Sequence, residues 1–67
     1  MPIITVELKT GRTLEQRAAF ARAVTRAAVE HLDAVPDRVR IRFDEFATDA
    51  VAQGGALMSE QAPGAGR

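Results

Sequence analysis

From Ile3 to Lys9 the chain alternates, with Ile4, Val6 and Leu8 on one face and Ile3, Thr5, Glu7 and Lys9 on the other. Period two with β-branched content predicts a strand, and Thr10-Gly11 ends it. Thr13-Leu14-Glu15-Gln16 then reads as a capping box: the Thr13 hydroxyl accepts from the Gln16 N–H while the Gln16 side chain reaches back to Thr13. A helix is predicted from there to about Leu32, with Phe20, Val24, Ala28 and Leu32 as an apolar stripe and Arg22, Arg26 and Glu30 on another face. The alanines Ala18, Ala19, Ala21, Ala23, Ala27 and Ala28 favour helix and permit close backbone approach. Pro36 ends the helix by pushing Val35 out of helical geometry.

Alternation resumes from Val39 to Asp44, with Val39, Ile41 and Phe43 inward and the charged residues outward. Strand, helix and strand with short connections predict a βαβ unit with parallel strands. Gln53-Gly54-Gly55 predicts a tight turn joining two short strands, Val51-Ala52 and Ala56 to Met58. Residues 2–59 are thus read as one domain of α+β class, a short βαβ unit with a small C-terminal β-hairpin. After Ser59 the sequence turns Gly/Pro-rich without periodicity, and 60–67 are read as a flexible tail.

One helix covers only one face of a two-stranded sheet. A chain of 67 residues also buries a modest fraction of its surface. It has no cysteine, which removes disulfides and thiolate ligands, and one histidine, His31, which suits a surface position near the helix end better than a zinc site. Self-assembly is the support that remains. Arg40 and Arg42 are then expected to face a neighbour or a shared cleft. Arg40 has Asp44 and Glu45 as candidate salt-bridge partners across an interface, and Arg42 reads as an interface salt bridge.

Nine basic and nine acidic residues leave no cationic excess for nucleic acid. No apolar stretch is long enough to span a bilayer, and the first residues lack the pattern of a secretory signal. The expectation is a soluble cytoplasmic protein without nucleic-acid or membrane partners.

Pro2 has two readings. It can be a stiff strand start, where proline is tolerated. If Met1 is removed, which is plausible before so small a residue, it is a free secondary amine. Pro2 opening the first strand, Gly11-Arg12 closing it, the capped helix, Arg40 early in the second strand and the Gly54-Gly55 turn together resemble the 4-oxalocrotonate tautomerase family. The resemblance runs from Pro2 to about Ser59. It implies a hexamer, a trimer of βαβ dimers, with no metal or organic cofactor and with the processed proline as general base. An amine sunk in an apolar pocket near cations has its protonated form disfavoured by desolvation and by like charge, which suits a base working near neutral pH.

By the same resemblance Arg40 would engage the carboxylate and carbonyl nearest the reacting carbon and stabilise dienolate charge. Arg12 would hold a distal carboxylate. A guanidinium fits both roles because its planar fork pairs with carboxylate in two places. The proline and the arginines would come from different subunits. Val51, Lys9 and Gln53 would line the pocket. Here the sequence departs from the isomerases, which have an aromatic residue at the place of Val51 and aliphatic ones at those of Lys9 and Gln53. A hydratase and dehalogenase branch carries a second cation near the position of Lys9 and a water-activating carboxylate near that of Gln53. The implied activity is keto–enol or allylic isomerisation of a small 2-oxo or enol acid through Pro2. The alternatives are hydration or dehalogenation of an unsaturated acid, with Gln53 orienting water, or a non-catalytic subunit of a heterohexamer.

Overall fold

The capping box forms as the sequence dictates. In the computed structural model, which describes residues 1–61, the Gln16 N–H donates to the Thr13 hydroxyl at 3.0 Å and the Thr13 N–H to the Gln16 side-chain oxygen at 2.9 Å. It launches α1 (Leu14–Leu32), which joins β1 (Ile3–Lys9) to β2 (Arg40–Phe46). The strands pair in parallel, from Ile3 opposite Arg40 to Lys9 opposite Phe46. β3 (Ala52–Gln53) and β4 (Ala56–Leu57) form an antiparallel hairpin, and single 3-10 turns occupy Pro36–Arg38, Thr48–Ala50 and Met58–Glu60. This is the expected α+β fold, with a parallel βαβ unit and a small hairpin.

Boundaries shift for local reasons. The Val39 N–H is taken by the Pro36 carbonyl at 3.2 Å, so β2 starts one residue late. Its far end is extended by Lys9 pairing with Phe46 and by the Thr10 N–H donating to the Phe46 carbonyl at 2.9 Å. Val51 stays outside the hairpin pairing, although its carbonyl accepts the Met58 N–H at 2.8 Å. Gly54 at φ 61° and Gly55 at φ 86° supply the two left-handed residues that a two-residue hairpin turn demands. The helix ends at Leu32, as expected, and Asp33 caps it at φ 56°, a left-handed conformation that a short polar side chain tolerates. The 3-10 turns were not foreseen, since three residues carry no readable period. One of them holds Glu60, whose carboxylate accepts the Leu57 N–H at 2.7 Å. The rest of the expected tail, 62–67, lies outside the described residues.

The apolar stripe needs correction. Ala28 is buried and Val24 half-buried, but Phe20 is 46% and Leu32 66% exposed. A strict i, i+4 row advances roughly 40° too far at each step of a 3.6-residue helix, so its ends wind off the sheet. The covered side is instead Ala21, Val24, Thr25, Ala28 and Val29. Phe20 keeps one edge-to-face contact with Phe43, with ring centroids 6.2 Å apart.

The two faces of the β1–β2 sheet differ. Ile4, Val6, Leu8, Ile41 and Phe43 are half-buried on one face. Period two puts Glu45 on that face too, and Arg17 from α1 meets it, Nη1 to Oε1 at 3.3 Å. On the other face the register sets Glu7 opposite Asp44. Like charges so placed repel, and Arg42 offsets this by donating from Nε to Asp44 Oδ1 at 3.1 Å. Arg42, expected in an interface salt bridge, thus has a partner within its own strand.

A single chain is under-buried. Ala28 is the only buried residue among those described. The accessible surface is 5276 Å², where a compact monomer of this mass would show about 4,100 Å². The Cα radius of gyration is 15.1 Å, against about 11 Å for a compact domain of this length. Among the described residues no helix is long and apolar enough to cross a membrane.

Candidate active site

The N-terminal end of the sheet brings Pro2 and Arg40 together. Because β2 enters beside β1 at this end, the Arg40 N–H donates to the Pro2 carbonyl at 3.1 Å. That bond uses the carbonyl and leaves the ring nitrogen outside the ladder. Met1, whose removal would free that nitrogen, is 71% exposed. Ion pairs among the described residues join Arg17 to Glu45, Arg42 to Asp44 and His31 to Glu30. Within the single chain Asp44 and Glu45 are thus paired with Arg42 and Arg17, and the Arg40 guanidinium is in no ion pair among the described residues.

Arg12 lies at the other end. Gly11, at φ 120°, turns the chain out of β1, and Arg12 then borders a groove floored by Val6, Leu8, Phe20 and Phe43. Seven strand residues separate this end from Pro2, a span of roughly 20 Å. One chain therefore does not bring Pro2 and Arg12 to one small substrate. Lys9 is half-buried at the same far end, on the face away from α1 and opposite Phe46. Val51 precedes the hairpin and is half-buried, while Gln53 is exposed and pairs with Ala56. The six expected positions thus fall into separate groups: Pro2 with Arg40 at one end of the sheet, Lys9 and Arg12 at the other, and Val51 with Gln53 in the hairpin segment.

Sequence reasoning overlooked two arginines. Arg17, which the sequence analysis did not single out, borders the Arg12 groove and holds Glu45. The continuation of the β2 alternation to Glu45 could have signalled an inward carboxylate needing a cation. Arg38 shares a cleft with Pro2, and the 3-10 turn that places it there has no period to read.

Comparison with known proteins gives one answer. The family model described as tautomerase enzyme matches residues 2–61. A Bradyrhizobium diazoefficiens protein named probable tautomerase is 38% identical over 65 residues, covering 97% of each chain. One of the 4-oxalocrotonate tautomerase isozymes from Methylibium petroleiphilum superposes with a TM-score of 0.82 at 38% identity, covering 87% of this chain and 91% of that one. A heterohexameric 4-oxalocrotonate tautomerase from Chloroflexus aurantiacus gives a TM-score of 0.84 at 31% identity, covering 92% and 100%. Fold, length and order of elements agree throughout, and the chain belongs to the 4-oxalocrotonate tautomerase family.

Proposed function

We propose that this protein is a cofactor-independent tautomerase acting on a small 2-oxo or enol acid, with the amine of Pro2 as general base once Met1 is removed. The observation that carries this reading is the Arg40–Pro2 backbone hydrogen bond at 3.1 Å. It holds the backbone of Pro2 against that of Arg40, whose guanidinium is in no ion pair among the described residues and so is available to a site at this end of the sheet, in this chain or a neighbouring one. The amine takes a proton from a carbon next to the carbonyl. Arg40 pairs with the carboxylate and the carbonyl oxygen, where negative charge develops. The same nitrogen returns the proton elsewhere on the conjugated system. Nearby guanidinium charge disfavours the ammonium form, so the amine is held ready to accept.

Arg12, from another copy of the chain, holds a distal carboxylate, with Lys9, Val51 and Gln53 around the rest of the substrate. The excess exposed surface and the strand-length gap between Pro2 and Arg12 both support a site completed by assembly. A homohexamer satisfies this. A mixed hexamer is a second reading, supported by the likeness to the Chloroflexus aurantiacus heterohexamer.

The test pairs intact mass with activity. The active protein should lack Met1 and should ketonise phenylenolpyruvate, followed by ultraviolet absorbance. Pro2→Ala should lower kcat on the order of 10² to 10⁴-fold. Retained Met1 in active protein, or a wild-type rate in the variant, would end the proposal.

A further inference from the structure

The Pro2 end of the molecule holds a third arginine that the reading above leaves idle. An open cleft of about 580 Å³ is lined by Met1, Pro2, Leu32, Asp33, Val35 and Arg38. Its volume is within the range of small-molecule sites. Leu32 and Val35 give it an apolar wall, 66% and 60% exposed. Met1 is part of the lining, so its removal enlarges the cleft at the Pro2 nitrogen. Arg38 is fixed at the backbone level, its N–H donating to the Val35 carbonyl at 2.8 Å within the 3-10 turn begun by Pro36. Its guanidinium is in none of the ion pairs among the described residues, including none with Asp33 in the same cleft. An uncommitted cation over an apolar wall, beside the nitrogen that does the chemistry, is suited to a carboxylate with a hydrocarbon remainder.

We propose that Arg38 is a substrate-binding residue of the Pro2 site, supplying a guanidinium to the substrate carboxylate from the same chain as the proline. The inference rests on the tautomerase reading and deepens it. Arg40 lies on the sheet face away from α1, and Arg38 lies in the cleft beneath the end of α1. The two cations thus lie on different sides of the same end of the sheet, and Arg38 is the one that shares a cleft with Pro2, so the site selects an anionic substrate before any distal arginine is engaged. The role of Arg38 is ground-state and transition-state binding alike, and so it belongs in KM more than in kcat.

The test compares phenylenolpyruvate, which has the carboxylate, with the enol of phenylacetaldehyde, which lacks it. Arg38→Gln should raise KM for phenylenolpyruvate about tenfold or more, as loss of a charge-assisted hydrogen bond does, with kcat little changed. The same variant should leave the rate on the neutral enol unaltered. Arg38→Lys, which keeps the charge without the fork, should recover part of the lost KM. Unchanged KM for phenylenolpyruvate in Arg38→Gln overturns the inference, and so does an equal loss on both substrates. If Pro2→Ala is inactive while Arg38→Gln behaves as wild type, this inference alone fails. If Pro2→Ala keeps the wild-type rate, the underlying reading fails with it.

Discussion

In the proposed tautomerase the two ends of β1 carry different halves of one chemistry. At its start, Pro2 is tied to Arg40 by a backbone hydrogen bond and shares a cleft with Arg38. At its finish, Arg12 borders a groove whose floor is apolar, and Lys9 offers a second cation on the opposite face of the sheet. The first end has the reactive nitrogen, and the second has only anchors. A seven-residue strand holds them apart, and a strand is too stiff to fold back on itself. Neither half is a complete site, and the surface left exposed by the single chain is what would bring the second half from a neighbour.

The largest effect expected from this arrangement is complementation. Assayed with a subsaturating 2-oxo dicarboxylic acid, Pro2→Ala and Arg12→Ala chains should each be impaired. Unfolded and refolded together, they should regain activity, because some sites then take Pro2 from one chain and Arg12 from the other. Random mixing in a symmetric assembly restores about a quarter of the sites. A mixture no better than the sum of its parts would mean that each chain carries its own site.

Arg12→Ala alone sharpens the contrast further. With a 2-oxo dicarboxylic acid as substrate its KM should rise roughly tenfold to a hundredfold, the range expected for losing a hydrogen bond to a charged group. With phenylenolpyruvate, which has no distal carboxylate, steady-state kinetics should find KM nearly unchanged. Equal losses on both substrates would place Arg12 in assembly and not in recognition.

The smallest effect concerns the scaffold that sets the spacing between the ends. Thr13→Ala removes the acceptor for the Gln16 N–H and should lower stability by about 1 kcal/mol. Thermal or urea unfolding at fixed protein concentration measures this, since oligomerisation makes stability concentration-dependent. The kinetic constants of the folded variant should match wild type, because Thr13 supports α1 and touches neither group.

Much of the fold was legible because local rules agree with it. The alternation of Ile3–Lys9, the Thr13–Gln16 box and the paired glycines 54 and 55 each specify an element without help from distant residues. Where the reading slipped, distance in sequence was the cause. Phe20 and Leu32 look like core on a helical wheel, and only the direction of the sheet beneath α1 decides which side is covered. Arg17 and Arg38 were passed over because their significance lies in neighbours, Glu45 and Pro2, that are 28 and 36 positions away in the chain.

The sequence by itself determined the elements, their order and the residue types available for chemistry, since periodicity, capping and turn preferences act within a few residues. The tertiary structure decided which cations are free and which are spent. Asp44 goes to Arg42 and Glu45 to Arg17, and of the arginines near the two ends of β1 that leaves Arg12, Arg38 and Arg40, as it leaves Lys9, Arg22 and Arg26, without carboxylate partners among the described residues. Charge pairing depends on separations of a few ångströms, and those separations are set by strand register and helix placement, which no local pattern encodes.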